Sequence, residues 1–407
     1  MGVSITLPID YTRPAFVLGT VICLILINDR DVVRKLRGKP YLLIFPLFAL
    51  FVGLLTAASF QDKDIVPVYN PVTFTLMFEG YIFQLLCLVM YALAKGRVMD
   101  LLNFTFRVMA GLAVVTDMLM FAGIHFTDGA FETYLIGTKF DIVYMHMNLM
   151  TLFFVKMKLG RRQKKEVKLP LRLLLTFLIL NVIISLRVDC NTGMLGSVLI
   201  VLITYWCDRS DWARQKLFGS VKFFMIIAAV SALFAYYIFL ILNMPLVQHI
   251  IVDQLGRSLT LTGRTDIYEL FPVVMEEHWL WGYGLGNSYP VCVSLFGYTD
   301  VQNAILQWVI QTGVPASACM LLLFAYMISY YRKKARKMCA APILALLYVY
   351  LLLGTVEITV NNNFWLFIIL LFMLCCDDLM PPAPKKKNLI VVTDVARRSA
   401  RRMERKQ

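Results

Sequence analysis

Charge is scarce in this chain. Only 16% of its 407 residues are Asp, Glu, Lys or Arg, where a soluble globular domain carries roughly 25%. That shortfall argues against an ordinary soluble domain with a charge-solvated surface. Metal-type cysteine spacing is also missing. Of the nine cysteines, Cys23, Cys87, Cys207, Cys319, Cys339, Cys375 and Cys376 lie in or beside apolar runs and read as core filler. Cys190 and Cys292 are the two whose positions allow an outward-facing bridge. There is no internal repeat and no low-complexity tract. No metal cage and no cofactor motif is apparent. The first apolar run, near Pro14 to Ile27, has no basic leader and no small-residue cleavage site, so a cleavable signal peptide is not expected.

What the chain has instead is apolar sequence, 59% of the total. It is organised in runs of about 20 residues, the length a helix needs to cross hydrocarbon. In lipid each backbone polar group must be paired within its own segment, so such runs are helices rather than open sheet. The expected fold is therefore all-α: a polytopic membrane protein with about eleven transmembrane helices. They fall near residues 11–28, 41–59, 71–94, 101–123, 142–158, 170–187, 193–207, 221–243, 304–330, 339–360 and 363–380.

The net charge of +14 reads as cytoplasmic-side lysine and arginine, not as a nucleic-acid footprint. The odd-numbered connections hold the basic residues: Arg30 to Lys39, Lys95 and Arg97, Lys156 to Lys168, Arg209 to Lys216, Arg332 to Lys337, and the tail after Pro381-Pro382. The even-numbered ones are poor in them. The positive-inside rule then places the N-terminus outside and the C-terminus in the cytoplasm, as an odd number of spans also requires. The organisation expected is transmembrane helices one to eight over 1–243, a large extracytoplasmic segment over 244–303, helices nine to eleven over 304–380, and a basic cytoplasmic tail over 381–407.

Ionisable groups within a bilayer are costly and usually mark a site or a pairing. Glu79, Asp117, His146, Asn181, Arg187 and Glu357 all fall in the outer halves of their runs. The bland reading is pairing between helices. Their shared depth favours a polar cavity open to the outside.

The segment 244–303 is too long for a simple connection. It holds Asp253, Asp266, Glu269, Glu276, Glu277 and Asp300, but only two basic residues, Arg257 and Arg264. Arginine is rare on this side, and the two either bridge to neighbouring acids or grip an anion. From Gly263 to Trp279 the spacing is helical, with Ile267, Leu270, Phe271 and Val274 as the apolar stripe. Thr262 is placed to cap it, Arg264 falls in the first turn, and Pro272 kinks or ends it. Then follows Trp279-Leu280-Trp281-Gly282-Tyr283-Gly284-Leu285-Gly286-Asn287. No strand precedes these glycines, which excludes a dinucleotide fingerprint. The aromatics suit an interfacial belt or a sugar-stacking surface.

The ordered set Leu261-Thr262-Gly263-Arg264-Thr265-Asp266, Trp281-Gly282-Tyr283-Gly284-Leu285-Gly286, and Gln302-Asn303-Ala304-Ile305-Leu306-Gln307 with Gly313 resembles the signature of the O-antigen ligase and polysaccharide polymerase (Wzy-type) superfamily. The likeness covers about residues 258–315. It departs from the family at Gln302, where a histidine is usual, and at Asn191, where an arginine is usual in a Ser-Arg-Thr-Gly-like run; Arg187 lies one helical turn earlier. The resemblance implies a GT-C-like membrane glycosyltransferase that needs no metal. It would transfer a glycan from an undecaprenyl diphosphate carrier to an acceptor sugar hydroxyl at the outer face of a bacterial inner membrane. Repeat-unit polymerisation, for capsule, exopolysaccharide or O-antigen, is the first reading, with a chain-length regulator or flippase as partner. A ligase passing finished glycan to another acceptor is the same-fold alternative, and a lipid-linked saccharide transporter the alternative of a different class. The catalytic candidates are Arg264 for the diphosphate, because guanidinium stays charged and is a planar donor set, and His278 or Glu357 for the base. Further base candidates are His249, Asp266 and Glu269. The substrate-binding candidates are Arg257, Arg187, Gln302, Asn303, Trp281 and Tyr283.

Overall fold

The computed structural model describes residues 12–61, 71–128, 131–160, 168–242, 244–249, 264–333 and 337–376. It is helical apart from one small hairpin, Phe126–Asp128 paired antiparallel with Phe131–Thr133. The helices are α1 (Thr12–Ile27), α2 (Arg30–Leu36), α3 (Ile44–Ser59), α4 (Pro71–Lys95), α5 (Val98–Phe121), α6 (Lys139–Gly160), α7 (Leu171–Arg187), α8 (Asn191–Arg209), α9 (Val221–Leu242), α10 (Pro245–Gln248), α11 (Arg264–Val274), α12 (Ser288–Phe296), α13 (Ala304–Lys333), α14 (Lys337–Leu353) and α15 (Asn362–Cys375). Each of the apolar runs contains a helix.

Among the described residues, five helical stretches are both long and apolar enough to cross a membrane: Pro40–Ser59, Val72–Lys95, Val98–Phe121, Val221–Ile238 and Ala304–Tyr331. Three apolar helices are shorter, Arg13–Ile27, Cys339–Leu353 and Asn362–Cys375. The last two are enclosed by other helices. Helix α14 packs against α6, α8, α9 and α15, and α15 also packs on α13 and α4. Every residue of α15 from Asn363 to Cys375 is buried. A helix apolar all round belongs inside the protein, and one enclosed by neighbours need not match the thickness of hydrocarbon. The outward faces of α5, α7 and α9 show the opposite pattern, with Val115, Met118, Ile179, Leu180, Ile226 and Val230 exposed.

The polar groups sharing one depth do not form a single cavity. Glu79 accepts from the Thr56 hydroxyl (3.4 Å) between α3 and α4. His146 of α6 meets Asp117 of α5 at 3.0 Å. Arg187 donates to the Met120 carbonyl at 3.2 Å, tying the end of α7 to the end of α5. At the opposite end of α6, Lys158 pairs with Asp208 of α8; both are buried, and Asp208 also accepts from the Leu169 backbone N–H at 2.6 Å. Ionisable groups inside thus meet polar partners where helices touch, which is how a low-dielectric interior tolerates them.

A second, smaller apolar cluster lies apart from the main core. Ile267, Tyr268, Phe271 and Met275, with Val291, Cys292 and Phe296 of α12, pack on Ala235 and Ile238 of α9 and on Val309 and Ile310 of α13. The 264–303 stretch is therefore a folded cap seated on α9 and α13. The buried stripe of α11 differs from the expected one. Leu270 is 42% exposed, whereas Tyr268 is 6% exposed and takes its place. The helix runs through Pro272 and stops two residues later, at Val274.

Candidate functional site

Arg264 is the first described residue of α11. Its guanidinium Nε and Nη2 donate to the Val356 carbonyl (3.2 and 3.0 Å), and Nη2 lies 3.3 Å from Glu357 Oε1. Glu357 is not within a helix, as its place in the 339–360 run implies. It stands in the connection after α14 ends at Leu353 and before α15 starts at Asn362. Asn361 caps α15 there, its side chain accepting from the Asn363 N–H at 3.0 Å.

The pair is sheltered but reachable, with side-chain exposures of 17% for Arg264 and 15% for Glu357. The same Oε1 accepts from the Thr192 hydroxyl in the first turn of α8 (3.4 Å). Burial pushes the Glu357 carboxyl up to about 7, against the opposing pull of Arg264. Asp300 is raised as well, again by burial, while the Gln302 N–H, the Thr299 hydroxyl and Arg264 hold it down. Desolvation penalises the charged form, and a nearby cation restores part of the loss.

The site is held by backbone ties that run through several sequence-predicted residues. The Tyr268 hydroxyl donates to the Gln302 carbonyl (3.0 Å) and the Thr355 carbonyl (3.3 Å). Gln302 has φ +52°, and its N–H donates to Asp300 Oδ1 at 2.8 Å. Asn303 is fully buried. Its Nδ2 donates to the Ser231 and Thr355 carbonyls, and its Oδ1 accepts from the N–H groups of Ile305 and Leu306. That is an N-cap with both ends of the amide engaged, so Asn303 starts α13 and has nothing left to offer a substrate. Gly354 lies against Ala304, whose N–H donates to its carbonyl at 2.8 Å. A Cβ on Gly354 would stand 3.0 Å from Ala304 Cβ.

The glycine-rich turn has a structural task. Helix α13 is broken at Gly313 (φ 73°, ψ 174°). Into the break fits the 279–284 backbone: Tyr283 N–H donates to Ile310 O, Gly284 N–H to Gln311 O, and Val314 N–H to Trp279 O, each at 2.8 Å. A Cβ on Gly282 (φ +62°) would come within 2.7 Å of the Gln311–Gly313 backbone, and one on Gly313 within 2.2 Å of the Leu280 carbonyl. Two backbones in direct contact, both with positive φ, leave room only for glycine.

Other expectations are corrected by the geometry. Tyr283 is 5% exposed, with its hydroxyl donated to the Val274 carbonyl (2.7 Å), so it is a packing residue and not a sugar platform. The His278 ring lies on the Tyr283 ring, centroids 3.9 Å apart. It follows the far end of α11 from Arg264, and eleven residues of helix are about 16 Å long, so His278 and Arg264 do not share one reacting centre. Trp281 is half-buried in the same turn. Arg187 is at the α5–α7 contact, tied to Met120 rather than to the Arg264–Glu357 pair. Arg257 lies outside the described residues, as do Thr262 and the 381–407 tail. Cys190 and Cys292 are separate, buried free thiols, pushed by burial to about 11 and about 12. Sequence spacing did not reveal Thr192 and Asp300 as neighbours of the pair. Neither did it reveal Lys139, whose charge also acts on Glu357.

The fold and this site define a helical membrane protein with an arginine–carboxylate pair held between a folded cap and the end of a buried helix. Compared with known proteins, the chain matches no family model, no curated protein and no solved structure.

Proposed function

We propose that the chain is a polysaccharide repeat-unit polymerase of the O-antigen ligase and polymerase type. On this reading it has eleven spans with the N-terminus outside, sits in a bacterial inner membrane, and works at the outer face on undecaprenyl diphosphate-linked glycan. The observation that carries the reading is the Arg264–Glu357 pair: a permanent cation and a carboxyl raised to about 7, 3.3 Å apart.

The chemistry follows from their natures. Arg264 takes the carrier diphosphate, since guanidinium presents paired donors to phosphate oxygens. Glu357 takes the proton of the acceptor hydroxyl, and a base titrating near the working pH does this best. The acceptor oxygen bonds to the anomeric carbon as the bond from that carbon to the phosphate oxygen breaks. The carrier diphosphate leaves with the electron pair, its charge held by Arg264. Preorganised charge of this kind is worth about 3–4 kcal/mol per donor.

The test is Arg264→Ala in the native cell. A polymerase leaves surface glycan stopped at a single repeat unit while the protein inserts normally. Long chains retained on the carrier would favour ligation, single units trapped on the cytoplasmic side would favour transport, and unchanged long chains would remove Arg264 from the chemistry.

A further inference from the structure

Lys139 opens α6, where the helix dipole disfavours a cation. The acid of that first turn, Asp141, is committed elsewhere: its Oδ2 accepts from the Thr138 N–H (2.8 Å) and hydroxyl (2.9 Å). Lys139 Nζ donates to the Asp189 carbonyl at 3.0 Å, and among the described residues no carboxylate lies within salt-bridge distance of it. An ammonium has three donors, and this half-buried one spends one of them on a neutral group.

The place of this cation matters. Asp189 sits in the turn between α7 and α8 with φ +48°, three residues before Thr192, whose hydroxyl reaches Glu357. Lys139 and Arg264 therefore both act on Glu357. Lys139 comes from the α6–α8 flank of α14, and Arg264 from α11, which rests on α9. Glu357 is thus met directly by Arg264 and reached from the α7–α8 turn that Lys139 holds, and of the two cations only Arg264 is paired with it.

We propose that Lys139 is a second anion anchor of this site, binding a substrate oxyanion beside the α7–α8 turn that reaches Glu357. The oxyanion is either a phosphate of the lipid carrier or a carboxylate on an acidic sugar. The inference rests on the transferase reading above. Lys139 is a positioning residue: it fixes the substrate against Glu357 and takes no part in bond making.

Titration calorimetry on the purified full-length protein tests it, with inorganic pyrophosphate in one arm and a glucuronate-containing disaccharide in the other. Lys139→Gln weakens at least one anion roughly tenfold, while Lys139→Arg, which keeps the charge, retains most of the binding. The arm that weakens identifies the source of the oxyanion. If Lys139→Gln binds both anions as the wild type does, or if the wild type binds neither, the anchor is overturned. Arg264→Gln in the same assay separates the two ideas: unaltered pyrophosphate binding in that variant counts against the Arg264 reading, whatever Lys139 does.

Discussion

Replacing Arg264 by Gln removes the cation 3.3 Å from Glu357 Oε1 and leaves the carboxyl in the same sheltered place. At that separation the bare attraction is about 5 kcal/mol with an effective dielectric constant near 20. Water at the partly open site screens part of it, and arginine neighbours typically move a carboxyl by roughly one to three pH units. Glu357 already stands at about 7 because burial outweighs Arg264. In the variant it should titrate roughly one to three pH units higher, protonated at neutral pH. Infrared difference spectroscopy of the carboxyl band, with Glu357→Gln as the subtraction control, reads this directly. The sign of the stability effect follows. A carboxyl whose folded-state value lies above its unfolded one contributes stability that is present below the unfolded value and lost as pH rises through the folded value. For the wild type that window runs from about 4.5 to about 7, with an upper bound of about 3 kcal/mol. In Arg264→Gln its upper edge moves to higher pH. A Glu357 band that titrates near 4.5 in the wild type, or does not move in the variant, would refute the reasoning.

Glycosyl transfer by the wild type should rise with pH through about 7, where Glu357 becomes ionised, and an initial-rate profile checks this. Gly313→Ala forces a side chain onto a positive φ and against the Leu280 carbonyl, so it should cost at least 1–3 kcal/mol, read as a lower unfolding midpoint in detergent. Asp208→Asn leaves Lys158 buried beside a neutral partner and should cost roughly 3–5 kcal/mol in the same assay. His278→Ala should keep activity within about threefold, a change under 1 kcal/mol, because its ring packs on Tyr283; loss of turnover at unchanged stability would restore it as a base. A thiol introduced at Tyr289, which is 57% exposed, should label from outside intact cells, and one at Lys216 only after permeabilisation. The reverse pattern would invert the proposed topology.

The helices were legible because hydropathy reports them residue by residue: each apolar run holds a helix, and the helical spacing after Gly263 is a helix over Arg264–Val274. The arrangement of the site was legible only in part. Arg264 and Glu357 stood out by chemistry, as an outward arginine and a sheltered acid, yet 92 residues separate Val356 from Arg264, and spacing alone does not pair them. Lys139, Thr192 and Asp300 reach the site only through helix packing, which leaves no local pattern. Tyr283 and Asn303 misled for the opposite reason. Their types suit sugar binding, but one hydroxyl is spent on Val274 and one amide on starting α13. Alternate glycines likewise look like a ligand loop, and the reason for them becomes visible only when the break in α13 at Gly313 comes to lie against them.

The central claim is tested most directly by reconstituting the purified protein in liposomes with lipid-linked repeat unit as the only substrate. Growth of a ladder of longer glycans with release of carrier diphosphate, abolished in Arg264→Ala and in Glu357→Gln, is the predicted result. No chain growth by the wild type, or an equal ladder from the Glu357→Gln protein, would contradict the account.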